Sequence, residues 1–255
     1  MKEKKAGFFS SWLRPSAEAP SVCHKKEMRA ELLLSRGDPH FEGWYRAGLT
    51  SCAMNDNPTR KERFYNLVQF FRQTLSLEGA VAECGLWRGF SSFLLCRSAQ
   101  SVRPGFKGEN YHVFDSFQGL PEPGPEDEIP PKKLDGVRGK FTGRLEDVRR
   151  ALSDFPLITY HAGWIPDTFA GHPERTYKFV HVDLDLYHPT RASFDYFYPR
   201  MAPQGILVCD DYASPGWPGA KKAVDDFCRE KGLSALVLST GQAVLLGPYA
   251  SGRSS

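Results

Sequence analysis

One stretch decides the fold, FVHVDLDLY at residues 179–187, and a second, GILVCDDY at residues 205–212, repeats its pattern. Each is a short apolar run that ends in two carboxylates. Short runs rich in Val, Ile and Leu are typical of strands buried on both faces, the usual state in a parallel sheet. Ligands of open α/β sheets bind outside the carboxyl ends of the strands. We therefore expect Asp183, Asp185, Asp210 and Asp211 to meet at a functional edge.

These acidic pairs predict a cation site. Carboxylates held close together repel one another unless a proton or a cation lies between them. Ligand sets made only of oxygen suit a hard cation such as Mg²⁺. The alternative is that the acids are helix N-caps and loop residues, an explanation that suits a single Asp after a strand better than two acidic pairs.

A Gly-rich turn lies upstream, between a small-residue strand at 80–82 and a helix at 91–99. Gly85 and Gly89 permit close approach of the backbone to a ligand, and the helix start presents free N–H groups. The spacing departs from G-x-G-x-x-G, which disfavours a dinucleotide. Asp115 ends the next strand, 111–114, where an acid can accept hydrogen bonds from ribose hydroxyls. The pattern indicates an adenosine-type pocket, with a plain tight turn and a plain cap as the alternatives.

Strands and helices alternate along the rest of the chain. Apolar residues at helical spacing predict a helix at 59–75, and further helices are expected around 145–152, 192–198 and 220–231. A strand is predicted at 157–160, and segments 236–238 and 243–246 read as a hairpin. The expected fold is α/β and Rossmann-like: a mostly parallel sheet with a C-terminal antiparallel hairpin and helices on both faces.

Bulk composition fits a globular protein and excludes several partners. The chain has 255 residues, of which 41% are hydrophobic and 25% charged, and its net charge is +3. This charge gives no case for nucleic-acid binding. Apolar runs are too short to span a bilayer, and the start is too polar for a signal peptide. Because the cysteines form no CxxC pair and several lie in apolar patterns, we expect buried thiols in a reduced cytoplasm.

Five motifs together resemble the macrocin O-methyltransferase family, whose members are S-adenosylmethionine-dependent enzymes of the class I fold that methylate sugar hydroxyls of natural products. The motifs are AECGLWRG at 82–89, FDSFQGLP at 114–121, GWIPDT at 163–168, VDLDLY at 182–187 and YPRMAPQGILVCDDY at 198–212. They occur in order within about residues 60–232. One departure is Gln204, where the family usually has Gly; it makes the turn less relaxed and touches no chemistry.

The resemblance implies roles for individual residues. Those expected to bind S-adenosylmethionine are Glu83, Gly85, Arg88, Gly89, Ser91, Ser92, Asp115 (ribose), Ser116 and Trp164 (both beside the adenine). Asp183, Asp210 and Asp211 would hold Mg²⁺, and Asp183 is also the candidate catalytic proton acceptor. Asp185 and His188 are weaker candidates for the base, and His181 is expected to be a core histidine with satisfied hydrogen bonds.

The implied function is Mg²⁺-assisted methyl transfer to a small-molecule hydroxyl of a sugar or glycosylated metabolite. Three alternatives stay open: a phenol or catechol acceptor, a D-x-D glycosyltransferase, and a non-catalytic S-adenosylmethionine-binding protein. Residues 1–50 are expected to be a partly disordered N-terminal extension with substrate or oligomer contacts, and the family suggests a homo-oligomer. Residues 51–250 form the expected methyltransferase domain, with a proline-rich loop insertion at about 119–140.

Overall fold

Seven strands form one mixed sheet in the computed structural model, which describes residue 38, residues 40–134 and residues 136–248. The strands are β1 Ala80–Cys84, β2 Tyr111–Asp115, β3 Thr159–Ala162, β4 Tyr177–Val182, β5 Met201–Cys209, β6 Leu236–Val237 and β7 Ala243–Leu246. Their order is β3-β2-β1-β4-β5-β7-β6. Strands β1 to β5 run parallel, whereas β7 pairs antiparallel with β5 and β6. The predicted sheet and its C-terminal hairpin are confirmed.

Helices cover both faces of this sheet. They are α1 Phe41–Ser51, α2 Pro58–Gln73, α3 Phe90–Val102, α4 Pro131–Leu134, α5 Leu145–Ala151, α6 Tyr187–Phe197 and α7 Pro218–Lys231. Short 3₁₀ turns lie at Pro125–Asp127, Asp167–Phe169 and Tyr198–Arg200. None of the helices within the described residues has the length and hydropathy needed to cross a bilayer.

The alternation of side chains along each strand divides the core into two layers. In β4, Phe179 packs with α1, α2 and α3, whereas Val180 and Val182 pack with α6 and α7. Successive strand residues point to opposite faces, so a sheet covered on both sides needs apolar residues at nearly every position. This requirement explains why the strands appear in the sequence as continuous apolar runs.

Helix α1 belongs to the main core. Phe41 and Tyr45 are almost completely buried, and Gly48 lies where a Cβ would be 3.0 Å from the rings of Phe90 and Phe93. The domain boundary expected at residue 50 therefore falls one residue before the end of a helix that packs on α3. Residues 1–37, where most of the expected N-terminal extension lies, are outside the described residues.

The insertion at 119–140, expected as a proline-rich loop, contributes to a small apolar core. Leu120 and Val137 pack against Leu186, which immediately precedes α6. The backbone adds a short ladder, because Leu120 N–H donates to the carbonyl of Lys140 at 2.8 Å and Gly139 N–H donates to the carbonyl of Leu120 at 2.9 Å. Leu120 and Val137 are 17 residues apart and follow no helix or strand period, so the sequence pattern did not reveal this core.

The parallel register brings the acidic pairs together. Val182 pairs with Cys209, so the carboxylates that follow β4 and β5 emerge side by side at the same edge. Backbone bonds continue past the strand ends, from Asp183 N–H to the carbonyl of Cys84 at 2.9 Å and from Asp210 N–H to the carbonyl of Val182 at 2.8 Å. Gln204, at the departure from the family pattern, has φ +63° in the left-handed region, where a glycine would be unstrained.

Candidate functional site

A cavity of about 320 Å³ opens at the carboxyl edge of the sheet, within the usual size range of small-molecule sites. Its lining contains the sequence-predicted residues Gly85, Arg88, Ser91, Asp115, Ser116, Trp164, Asp183, Asp185, Asp210 and Asp211. The lining does not contain Glu83, Gly89, Ser92, His181 or His188. The Gly-rich turn and the carboxylates thus face one space, which extends from the end of β2 to the end of β5.

The carboxylates that follow β4 and β5 form a buried cluster. Asp185, Asp210 and Asp211 are each less than a tenth exposed. Asp211 accepts a hydrogen bond from the Asp185 backbone N–H at 3.0 Å, and Asp185 itself has φ +62°. A non-glycine residue in this left-handed region is strained, and such strain is concentrated at functional sites.

Burial and mutual repulsion alter the protonation of the cluster. The pKa of Asp183 is raised well above its usual range, first by burial and then by the charges of Asp211 and Asp210. Burial and Asp211 raise the pKa of Asp185 in the same direction. Burial also acts to raise the pKa of Asp210, but contacts with His181 and Arg63 outweigh it, and the net shift is downward. Asp210 is therefore firmly ionised. Asp183 and Asp185, in contrast, have too little positive charge nearby to stabilise their ionised forms.

A second buried network lies behind the cavity and contains two residues predicted to bind the cofactor. Glu83 is fully buried and accepts hydrogen bonds from the hydroxyl groups of Ser92 and Tyr111 and from His181 Nδ1 at 2.9 Å. Burial alone would lower the pKa of His181, but its contacts with Asp210 and Glu83 raise it to about 10. His181 and Glu83 thus form an ion pair between neighbouring strands β4 and β1.

His181 differs from the expected fully satisfied core histidine. Its Nε2 has no hydrogen-bond partner among the described residues and lies 3.8 Å from Asp210 Oδ1. Its neutral form would complete, together with Asp183 and Asp210, a set of potential ligand atoms within 4.8 Å of one another. Sequence reasoning placed Asp211 rather than His181 in this set. The signal for His181 is that it precedes Asp183 by two residues at the end of β4, a spacing that puts both side chains on the same face.

The Gly-rich turn surrounds the carboxylate of Asp115. Its oxygens accept backbone N–H groups of Leu86 at 2.6 Å, Trp87 at 3.3 Å and Phe117 at 2.6 Å. Asp115 thereby holds the turn and also faces the cavity. Gly89, with φ +84°, occupies the N-cap position of α3, so the first N–H groups of that helix follow the turn directly.

The other predicted cofactor residues line the same end of the cavity. Ser116 Oγ accepts from Gln118 N–H at 3.0 Å and donates to the carbonyl of Gly119 at 3.3 Å. Arg88 donates to the carbonyl of Ala53 and stacks on the Trp87 ring, 5.0 Å from its centroid. Trp164 lines the cavity from the loop after β3. Arg88, Ser116 and Trp164 therefore line the cavity beside the Gly-rich turn.

Two residues that sequence reasoning missed contact the carboxylate cluster. Arg63 of α2 forms an ion pair with Asp210, lies 3.6 Å from Asp211, and donates to the carbonyl of Asp210 at 2.6 Å. Gln242, just before β7, donates from Nε2 to Asp210 Oδ1 at 2.7 Å. Both are far from Asp210 along the chain, so no local motif could have identified them.

The donor set fits a divalent cation. Asp183, Asp210 and Asp211 offer oxygen ligands at one strand edge, and the basic groups in contact with them, Arg63 and His181, are fewer than the acids they face. The unpartnered Nε2 of buried His181 is a further sign that the local bonding is incomplete. A hard cation held by carboxylates would remove this excess charge.

Comparison with known proteins identifies the family. The sequence profile of the macrocin-O-methyltransferase (TylF) family matches residues 38–243. A curated relative, 8-demethyl-8-(2,3-dimethoxy-alpha-L-rhamnosyl)-tetracenomycin-C 4'-O-methyltransferase of Streptomyces olivaceus, is 30% identical over 162 residues, which are 61% of this chain and 60% of the relative. The match thus spans about three-fifths of that relative's length.

Solved structures agree on the fold. CalS11, a calicheamicin methyltransferase, is 20% identical with a TM-score of 0.65, over 95% of this chain and 99% of CalS11. The O-methyltransferase NovP is 23% identical with a TM-score of 0.61, over 73% of this chain and 80% of NovP. Because the profile match covers most of the chain, including the Gly-rich turn and both acidic pairs, the chain belongs to the macrocin O-methyltransferase family.

Proposed function

We propose that this protein is an S-adenosylmethionine-dependent O-methyltransferase that transfers a methyl group, with the help of Mg²⁺, to a hydroxyl of a sugar or glycosylated natural product. One observation carries the proposal: a single cavity joins an adenosine-type end, with Asp115 and the Gly85–Gly89 turn, to the carboxylate cluster around Asp183. Family membership and the sugar-modifying relative support the same chemistry.

The protein's own residues would orient the two reactants. Asp115 and Ser116 would bind the ribose and the adenine edge, Trp164 would contact the adenine face, and Ser91 with Arg88 would hold the methionine part. Glu83 and Ser92 lie behind the cavity and would act by fixing the turn and the start of α3. Alignment of the acceptor oxygen with the methyl carbon accounts for much of the rate enhancement in such transfers.

Asp183, Asp210 and Asp211 would hold Mg²⁺, with His181 beside them. When bound, S-adenosylmethionine supplies an activated methyl group, and Mg²⁺ lowers the pKa of the acceptor hydroxyl. Asp183 remains our candidate proton acceptor as well as a ligand. The strained, cavity-lining Asp185 is a second candidate, because burial raises its pKa towards the range of an effective base. His188 is two-thirds exposed beside Glu126 and lies outside the cavity lining, which disfavours it as the base.

Related alternatives differ in the acceptor or the ligand. A phenol or catechol hydroxyl would use the same metal chemistry, and the cavity does not favour the sugar over it. A D-x-D glycosyltransferase would need room for a nucleotide diphosphate, whereas the residues around Asp115 suit an adenosyl group without phosphates. A non-catalytic binding protein would not need the acidic cluster. The cytoplasmic location, suggested by the cysteine pattern, and the homo-oligomer stay predictions.

Calorimetry on the purified full-length protein tests the proposal. We expect S-adenosylmethionine to bind in the presence of either Mg²⁺ or EDTA, and a separate Mg²⁺ titration to give heat with the unmodified protein but not with an Asp210→Asn/Asp211→Asn variant. Asp195→Asn, which alters an exposed acid on α6, is the matched control and should bind Mg²⁺ normally. Absence of cofactor binding would refute the methyltransferase assignment, and absence of Mg²⁺ binding alone would refute metal assistance.

A further inference from the structure

Gln242 is held in a buried hydrogen-bond network around one of the acids assigned above to the cation. We propose that Gln242 is a positioning residue that fixes the carboxylate of Asp210 for cation binding, an inference that rests on the proposed metal-assisted function. Gln242 lies at the end of the turn between β6 and β7 and is fully buried. The side-chain amide of Gln242 thus extends from the antiparallel hairpin β6–β7 to the acidic cluster that follows the parallel strands β4 and β5.

The amide nitrogen of Gln242 joins two elements. Nε2 donates to Asp210 Oδ1 at 2.7 Å and lies 3.3 Å from the carbonyl of Arg63, to which it also donates. Both N–H hydrogens of the amide are thereby used. Because Arg63 pairs with the other oxygen, Oδ2, the Asp210 carboxylate is held from two sides, by an arginine on α2 and by an amide on the hairpin.

The amide oxygen of Gln242 is held as well, which fixes its orientation. Oε1 accepts a hydrogen bond from Thr240 Oγ1 at 2.9 Å, and Thr240 Oγ1 accepts from Asn66 Nδ2 at 3.1 Å. Rotating the amide by half a turn would place Oε1 against two groups that can only accept, the carboxylate oxygen of Asp210 and the carbonyl of Arg63. The chain from α2 through the turn therefore keeps a donor directed at Asp210.

A carboxylate that coordinates a cation needs such a partner. Groups that bond a metal ligand from outside fix its orientation, and their loss commonly weakens metal binding by about 10–100-fold. Here the requirement is greater because Arg63 competes for the same carboxylate, and without Gln242 the Asp210 side chain would be directed by Arg63 and by the more distant imidazole of His181, at 3.8 Å. Loss of the Gln242 amide would therefore change the affinity for the cation and leave the cofactor end of the cavity unchanged.

Calorimetric titration of Mn²⁺ into the full-length protein tests this role. Gln242→Met removes the N–H donors at similar side-chain length, and we expect its affinity for Mn²⁺ to fall by about 10-fold or more. Thr240→Val removes only the hydroxyl that orients the amide and should give a smaller loss in the same direction. Affinity for S-adenosylmethionine should stay unchanged in both variants.

A buried control separates positioning from general destabilisation. Ser98→Ala removes a buried hydroxyl that accepts from Arg72 Nε at 3.1 Å, away from the cluster, and should lower the melting temperature without changing Mn²⁺ affinity. Normal Mn²⁺ affinity in folded Gln242→Met, or an equal loss of cofactor and Mn²⁺ affinity, would overturn the inference while leaving the proposed function intact. If Gln242→Met does not fold, unchanged affinity in Thr240→Val would overturn it. Failure of the unmodified protein to bind Mn²⁺ would refute metal assistance and the inference together.

Discussion

Gly85 brings the two ends of the cavity into contact through its lack of a side chain. The residue immediately follows β1 and has φ +82°, and its N–H donates to the carbonyl of Phe114 at 3.0 Å. A Cβ at this position would overlap the carbonyl oxygen of Asp183. The Gly-rich turn, at the proposed cofactor end, and the first acid of the cluster are therefore packed backbone to backbone, which only glycine allows.

Replacing Gly85 with alanine should destabilise the protein more than replacing a glycine of similar conformation. Gly171 has φ +75° and open space around it, so Gly171→Ala reports only the left-handed strain, about 1 kcal/mol. Gly85→Ala adds the overlap with Asp183 and should lower the free energy of unfolding by about 3 kcal/mol or more. Urea unfolding of both variants measures the difference, and equal losses would show that the turn relaxes without moving Asp183.

The site residues divide into those that a sequence can predict and those that it cannot. Asp183 and Asp210 were predictable because each follows an apolar run, and the carboxyl ends of parallel strands meet at one edge. Arg63 and Gln242 were not, because Arg63 lies in an amphipathic helix full of basic residues and Gln242 in a polar turn. Their contacts with Asp210 depend on how α2 and the hairpin pack, which no local spacing records.

The insertion is anchored to α6 by a carboxylate. Asp127 Oδ1 accepts the backbone N–H of Tyr187, the first residue of that helix, at 2.7 Å, and Oδ2 accepts the N–H of Gly124 at 2.8 Å. A Cβ on Gly219, near the start of α7, would overlap Asp127, so that helix also packs closely on the anchor. The insertion supplies Leu120 and Pro121 to the cavity wall, which makes its position relevant to the acceptor.

Asp127→Ala should loosen the insertion while leaving the sheet intact. Losing an acceptor for the first N–H of a helix costs about 1 kcal/mol, and here it also frees the loop. We expect faster amide hydrogen exchange across residues 120–137 and unchanged exchange in β1 and β4. Glu122→Ala, which alters an exposed acid of the same insertion, is the control and should leave the exchange of this segment unaltered. If Asp127→Ala leaves the hydrogen exchange of this segment unchanged, the insertion is anchored by its apolar contacts with Leu186 alone.

A group of imidazoles lies between β2 and β3, beside the loop that carries Trp164. His112 Nδ1 and His161 Nε2 are 3.1 Å apart, and the His161 ring stacks on Phe114 and meets the edge of His172. Burial, followed by the charge of Arg175 and the neighbouring imidazoles, lowers the pKa of His112 to about 4. Burial and the charges of His172 and Arg175 lower the pKa of His161 to about 4 as well.

These histidines should make the protein less stable in mild acid. Their pKa values in the folded protein lie below the unfolded value of about 6.5, so the unfolded chain binds more protons between about pH 6.5 and 4. Stability is therefore complete above this range and falls as the pH falls through it. After allowance for partial exposure, we expect a loss of about 1 kcal/mol per histidine between pH 7 and pH 5. Urea unfolding at both pH values measures this loss of stability, and His161→Phe should reduce it. If His161→Phe loses as much stability between pH 7 and pH 5 as the unmodified protein, other groups take up the protons.

The order of strands and helices was more predictable than the N-terminal boundary of the domain. Strands such as β4 and β5 were evident because a sheet covered on both faces must be apolar at nearly every position, and the alternation with helices required a parallel sheet. Helix α1 was not recognised as part of the domain, because three aromatic residues over one turn do not give a long periodic pattern. Its role became evident only when Phe41 and Tyr45 were seen in the core shared with α2 and α3.

The core contribution of α1 can be measured with one substitution. Phe41 is fully buried and meets the Tyr65 ring edge-on at a centroid distance of 5.2 Å, so Phe41→Ala should lower the free energy of unfolding by about 3–5 kcal/mol. Because α1 and the sheet share that core, circular dichroism and tryptophan fluorescence should follow one common transition, shifted to lower urea. Thr50→Ala, at an exposed position of the same helix, should change stability by less than about 0.5 kcal/mol. A main transition unaffected by Phe41→Ala would mean that α1 folds independently and that the α/β domain begins after it.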